Sequence, residues 1–261
     1  MAATPDPPPV LDARSLVAGY QRDIDILSGV SVRAWPGRIA CVLGPNGTGK
    51  STLLKTIFGF LRPIEGTVVY RGGDITGLAP HRMIARGITY LPQQPSLFPY
   101  LSVEINLRLG LWHARARDAA GRIERAYGQF PVLREKRRQP AGQLSGGQQR
   151  QLEIARAHLT DPQLYLIDEP TAGVDPITSA EVYRIIERLA HEEGKAILLV
   201  DQDIRRALAV ADHVYVIRNG ALFAKGPREA FGGDTAALVS HWLSASGGPE
   251  LRHPGDANGA L

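Results

Sequence analysis

Short runs rich in apolar and β-branched residues alternate along this chain with stretches whose apolar positions recur at helical spacing. The pattern predicts strands at residues 11–18, 30–34, 39–43, 67–71, 88–91, 164–167, 196–200, 214–218 and 221–224. It predicts helices at 50–60, 80–86, 103–111, 119–130, 147–160, 178–193, 204–210 and 228–243. Strand and helix in alternation point to an α/β sheet. From about residue 95 to 143 the strand signal lapses and the pattern is almost wholly helical. That stretch reads as a helical insertion between two halves of one sheet. No internal repeat and no sustained heptad is present. The Pro-rich residues 1–9 and the Gly/Pro/Ala-rich residues 244–261 read as disordered tails, leaving one domain over 10–243.

Composition narrows the picture only a little. A chain of 261 residues, 44% apolar, can bury one large domain or a core with one insertion. Its net charge of +4 is a mild bias toward anionic ligands. No Lys/Arg cluster is interleaved with aromatics, so a nucleic-acid partner is not expected, and the basic run 134–138 reads as a solvated helix end. The single cysteine, Cys41, lies in an apolar run; it cannot form an internal disulfide and suits a reducing compartment. The N-terminus lacks a basic segment followed by an apolar one, so no signal peptide is expected. No run approaches the ~18–20 apolar residues that span a bilayer. Any membrane association must come through a partner.

The first candidate chemistry is a phosphate cradle. Gly44-Pro45-Asn46-Gly47-Thr48-Gly49-Lys50-Ser51, followed by Thr52, fits G-x-x-x-x-G-K-[ST] between a predicted strand and a predicted helix. Glycines let the backbone wrap a phosphate, and the helix N-terminus adds partial positive charge. Lys50 is placed to reach the β- and γ-phosphates of a nucleotide, and Ser51 to ligate Mg²⁺. The second candidate is the pair Asp168-Glu169, delivered by the apolar run Leu164-Tyr165-Leu166-Ile167. Asp168 suits Mg²⁺, and Glu169 suits orienting and polarising an attacking water. Taken alone, the pair could be a solvated strand end; beside the Lys50 loop it completes a nucleotide site.

Leu144-Ser145-Gly146-Gly147-Gln148 carries the chain's resemblance to the ATP-binding cassette (ABC) family, which extends over roughly residues 10–243. The resemblance implies a P-loop NTPase core with a mixed β-sheet, an antiparallel β subdomain and an inserted helical subdomain. It further implies ATP and Mg²⁺ as ligands. Tyr20 falls where an aromatic stacks on adenine, Gln93 at the loop that meets Mg²⁺ or the attacking water, and Asp175 at the loop after the carboxylate pair. Asp175 equally stands where it would cap the helix after Pro176. The Ser145 loop is expected to act on a second cassette, in a head-to-tail pair with each ATP between one chain's Lys50 loop and the other's Ser145 loop. Most of the family has a histidine at the γ-phosphate switch; here Leu198-Leu199-Val200-Asp201 leads to Gln202. Gln202 can donate an N–H to phosphate but cannot carry a proton near neutral pH, so Glu169 is left as principal base.

Two segments indicate a branch. Residues 98–110 (FPYLSVEINLRLG) and 130–137 (FPVLREKR) resemble the LivF-type ATPases of branched-chain amino acid importers. Leu91-Pro92-Gln93-Gln94 and Ala172-Gly173-Val174-Asp175-Pro176-Ile177 look more like the ATPase of lipopolysaccharide transport. The resemblance implies transmembrane permease subunits, a second ABC ATPase subunit and a substrate-binding protein as partners, at the cytoplasmic face of the inner membrane. A soluble ABC ATPase of translation or DNA repair is the rival class; one cassette and a short insertion speak against it. Phe98 and Tyr100 are candidates for permease docking over residues 95–107, or for the core.

Overall fold

Uniformly apolar runs become the middle of one sheet, and mixed runs form a second sheet beside it. The computed structural model describes residues 7–21, 24–112 and 118–231. The strands are β1 (Leu11–Ala18), β2 (Leu27–Ala34), β3 (Ile39–Leu43), β4 (Glu65–Tyr70), β5 (Gly73–Asp74), β6 (Ile88–Leu91), β7 (Leu164–Asp168), β8 (Ala196–Asp201), β9 (His213–Arg218) and β10 (Ala221–Pro227). The helices are α1 (Lys50–Phe58), α2 (Pro80–Ala85), α3 (Val103–Gly110), α4 (Ala119–Gln129), α5 (Pro131–Glu135), α6 (Gly146–His158), α7 (Pro176–Glu187) and α8 (Ile204–Val210).

The larger sheet has the order β10-β9-β3-β8-β7-β6. It is parallel from β9 to β6 and antiparallel at β10. Every residue of β3, β7 and β8 is buried, as strands covered on both faces require. The period of two then splits the interior. Ile39, Cys41 and Leu43 face one core with Leu152 and Ile154 of α6 and Val182 and Ile186 of α7. Ala40 and Val42 face the other, with Leu53, Leu54 and Ile57 of α1 and Leu11 and Leu16 of β1. The smaller sheet, β2-β1-β4-β5, is antiparallel throughout. Between β6 and β7 the named elements of the described residues are helical.

The departures from expectation are local. Strand β2 begins at Leu27, ahead of the predicted 30, because Ser28 and Leu27 still pair with Val17 and Ala18 across Gly29. The two-residue β5 is too short to leave a pattern. The helix predicted over 119–130 stops at Gln129, and Pro131 opens α5 as its first residue. Helix α7 starts at Pro176, not 178, since Asp175 accepts from the N–H groups of Ile177 at 3.1 Å and Thr178 at 3.0 Å. It gives way to a π-type turn at Arg188–Glu192. Of the helix predicted over 228–243, Arg228–Phe231 form a 3-10 turn. Its remainder, residues 1–6 and the tail 244–261 lie outside the described residues.

Candidate active site

Four neighbouring strands of the larger sheet end on one edge, and each delivers a piece of the site. The Lys50 loop follows Leu43 of β3, Gln202 follows Asp201 of β8, Glu169 follows Asp168 of β7, and Gln93 lies just past Leu91 of β6. Register brings them together: Leu43 pairs with Asp201, Asp168 with Val200, and Leu91 with Ile167. The carboxyl ends of parallel strands are where open α/β sheets bind ligands. Tyr20, Asn46, Gly47, Gly49, Lys50, Ser51, Thr52, Gln93, Glu169 and Gln202 line one cleft of about 450 Å³.

Within the loop, Gly49 has φ +99°, and a Cβ there would stand 2.8 Å from Leu27 Cδ2, so only glycine fits. Lys50 is 4% exposed and donates to the loop's own carbonyls, Gly44 O at 2.9 Å and Pro45 O at 3.1 Å. Thr48 closes the turn by donating from Oγ1 to Pro45 O at 2.9 Å.

All four oxygens of the carboxylate pair are engaged by site residues. Asp168 Oδ1 accepts from Ser51 Oγ at 2.9 Å, and Oδ2 accepts from Tyr90 OH at 3.0 Å. Glu169 Oε1 lies 3.4 Å from Lys50 Nζ, and Oε2 accepts from Gln93 Nε2 at 2.9 Å. Glu169 has φ +42°, a left-handed conformation that costs about 1–3 kcal/mol for such a residue and recurs at functional sites. Its N–H still extends the ladder to Val200 O at 2.9 Å, which fixes where the side chain leaves the sheet. Ser51 and Asp168 supply hard oxygen ligands close together, with Gln93 nearby. Mg²⁺ takes one or two such groups and completes its shell with phosphate and water oxygens. The donor set therefore fits that ion.

Sequence reasoning missed three residues behind this edge. Burial, and then the negative charge of Asp168, push the Tyr90 hydroxyl far above its usual range, so it remains a donor to that carboxylate. Asp201 is buried, and burial raises its carboxyl above the ordinary value against the opposing pull of its hydrogen bonds. It accepts from Tyr183 OH and from the N–H groups of Gln202 at 2.7 Å and Asp203 at 2.9 Å, which sets the Gln202 loop. The third is Arg150, buried on α6.

The remaining predicted residues stand elsewhere. Ser145 caps α6: its Oγ accepts from Gln148 N at 3.3 Å, and Gln148 Oε1 accepts from Ser145 N at 3.2 Å. Ser145 and Gly146 are exposed and are not among the cleft residues. A Cβ on Gly147 would meet Thr178 Cγ2 at 1.6 Å, so α6 packs directly on the first turn of α7. Asp175 caps that turn and is likewise outside the cleft.

A family model described as ABC transporter matches residues 27–172, a span that holds the Lys50 loop, Gln93, the Ser145 signature and the carboxylate pair. The chain belongs to the ABC transporter family. Curated relatives of this ABC ATPase include an amino acid transport cassette and a lipopolysaccharide export cassette. It is 38% identical to a probable branched-chain amino acid transport ATP-binding protein, LivF, of Archaeoglobus fulgidus, over 87% of this chain and 92% of that one. It is also 38% identical to the lipopolysaccharide export system ATP-binding protein LptB of Escherichia coli K12, over 83% and 90%. Among solved structures, a nucleotide-free ATP-binding cassette from an ABC transporter superposes with a TM-score of 0.77 at 29% identity, over 90% of this chain and 96% of that one.

Two substitutions probe the cleft of the ABC ATPase. Tyr20 is 56% exposed at the cleft rim, where its hydroxyl accepts from Lys55 Nζ at 3.1 Å. Stacking of a base on an aromatic is worth about 1–3 kcal/mol, so Tyr20→Ala should weaken ATP about 5–150-fold in an equilibrium titration. Unaltered affinity would place the adenine elsewhere. Gln202→Ala should lower kcat by about 10²-fold, the loss expected for one preorganised donor. Turnover equal to that of the unaltered chain in a phosphate-release assay would remove Gln202 from the mechanism.

Proposed function

We propose that this ABC ATPase hydrolyses Mg²⁺-bound ATP to drive import of branched-chain amino acids or related amino acids and amides. The observation that carries the chemistry is Glu169, 7% exposed, held between Lys50 and Gln93 at the rim of a phosphate loop. Lys50 neutralises charge on the γ-phosphate, and Gly47, Thr48 and Gly49 shape the loop around it. Ser51 and Asp168 would hold Mg²⁺, which supplies further charge neutralisation when bound. Glu169 orients the attacking water and takes its proton, Gln93 aligns the same water, and Gln202 donates to the γ-phosphate. Ser145, Gly146, Gly147 and Gln148, with Asp175, act across a head-to-tail pair on the ATP of a second cassette. The exposure of Ser145, Gly146 and Asp175 outside the chain's own cleft supports that reading. The cassette comprises residues 10–243 with the insertion at about 95–143.

Transmembrane permease subunits and a substrate-binding protein complete the assembly, with this chain peripheral at the cytoplasmic face of the inner membrane. Among the described residues no helix is long and apolar enough to cross a membrane. A groove of about 400 Å³ between the sheet edge and the insertion is lined in part by Phe58, Phe60, Ile84, Tyr90 and Pro92. At the start of the insertion, Phe98 is 51% and Tyr100 94% exposed, which favours docking over a core role for both. Fully buried Asn106 holds their loop, accepting from Phe98 N at 2.9 Å and donating to the carbonyls of Phe98, Leu101 and Ser102. A rigid loop presenting apolar rings suits a permease segment.

The similarity to LivF and the segments at 98–110 and 130–137 favour the importer. The equal identity to LptB, with the loops at 91–94 and 172–177, favours a lipopolysaccharide-type exporter as the second reading. Labelled-leucine uptake in cells dependent on this chain separates them. Loss of uptake with Glu169→Gln supports import; intact uptake with lipopolysaccharide retained at the inner membrane replaces it with export.

A further inference from the structure

Arg150 is 2% exposed, and a cation so deeply buried must be matched donor by donor. Four hydrogen bonds engage all three of its nitrogens. Nε donates to Pro170 O at 2.9 Å, Nη1 to Pro92 O at 2.8 Å and to Glu153 Oε2 at 2.5 Å, and Nη2 to Gln93 O at 2.6 Å. Pro170 directly follows Glu169, and Gln93 is the residue whose amide donates to Glu169 Oε2. One rigid guanidinium on the signature helix thus grips the backbone on both sides of the hydrogen bond between Gln93 and Glu169. Its counter-ion Glu153, 1% exposed, uses its other oxygen to accept from Ser96 N at 2.8 Å and Ser96 Oγ at 3.1 Å. Ser96 and Glu153 also line the apolar groove.

We propose that Arg150, anchored by Glu153, is a positioning residue for hydrolysis that locks Gln93 and Glu169 in register with the signature helix. The inference rests on Glu169 and Gln93 acting in ATP hydrolysis. Displacement of α6, or of the groove residues at Ser96, is passed through this brace to the water side of the site. The γ-phosphate side, built on Lys50 and Ser51, is left in place. A shift of about 1 Å in such a group is enough to cost up to about 10²-fold in rate.

The brace is tested with Arg150→Gln, the double variant Arg150→Gln/Glu153→Gln, and Glu169→Gln as a control, in the full chain. Arg150→Gln strands the Glu153 charge and should lower both Tm and kcat. The double variant removes both buried charges and should regain Tm. Its kcat should stay about 10–100-fold low, with the KM for ATP within about threefold of the unaltered chain. A double variant that regains kcat together with Tm makes Arg150 merely structural and overturns the proposal. So does a KM that rises in step with the loss of kcat. Normal turnover in Glu169→Gln would instead overturn the assignment of Glu169 on which the brace depends.

Discussion

Glu169→Gln is expected to lower ATP turnover about 10²–10⁴-fold while ATP remains bound, the range supplied by a positioned general base. The substitution keeps the shape of the side chain and leaves the φ +42° turn of the backbone untouched. An amide oxygen can still accept from Gln93 Nε2, so the water side keeps its geometry. The losses are the ability to take a proton and the negative charge 3.4 Å from Lys50 Nζ. Binding should hold because the cradle residues Gly44 to Ser51 are unchanged. Phosphate release and equilibrium titration with ATP measure the two quantities separately. Turnover at the unaltered rate would exclude Glu169 as the base.

Lys50→Met should act on both quantities at once. Methionine preserves most of the aliphatic length of a side chain that is 4% exposed, but removes the ammonium bonded to Gly44 O and Pro45 O. In so dry a position the charge proposed to neutralise the γ-phosphate would be screened little by water. Loss of one preorganised group typically costs about 10²–10³ in kcat, and here ATP affinity falls as well. The combined drop in kcat/KM should be about 10³-fold or more. A variant that binds ATP normally and fails only in turnover would mean that Lys50 touches the transition state and not the ground state. The contrast with Glu169→Gln separates the phosphate side of the cleft from the water side.

Most of this arrangement was legible in the sequence because its determinants are local. The apolar runs of β3, β7 and β8 announce buried parallel strands, and the segment after each run is short enough to recognise. The Lys50 loop, Asp168-Glu169 and Gln202 lie on three adjacent strand ends for that reason. The smaller elements were lost to punctuation. Gly29 reads as a break although β2 continues through it, and Pro131 opens a five-residue helix, α5, that the pattern over 119–130 does not reach. Less legible were the residues acting through distant partners. Tyr90 reaches Asp168 across 78 positions, and Arg150 reaches Pro92 across 58. Arg150 and Glu153 stand three apart on a helix, the spacing of an ordinary solvated pair. Their partners, Pro92, Gln93 and Ser96 on one side and Pro170 on the other, lie outside α6, and no pattern within the helix encodes them. Tyr183 and Asp201 are similar: the aromatic on α7 faces the core by helical period, but its hydroxyl's partner stands at the end of strand β8.

We propose that this chain works as one of two cassettes bound to membrane-embedded permease subunits. It is tested most directly by isolating Glu169→Gln with ATP from gently solubilised membranes and identifying its companions by mass spectrometry. The expected companions are transmembrane permease subunits together with a second cassette, whether another copy or a related ATPase. Recovery of the chain alone, or with ribosomes or DNA, would contradict it.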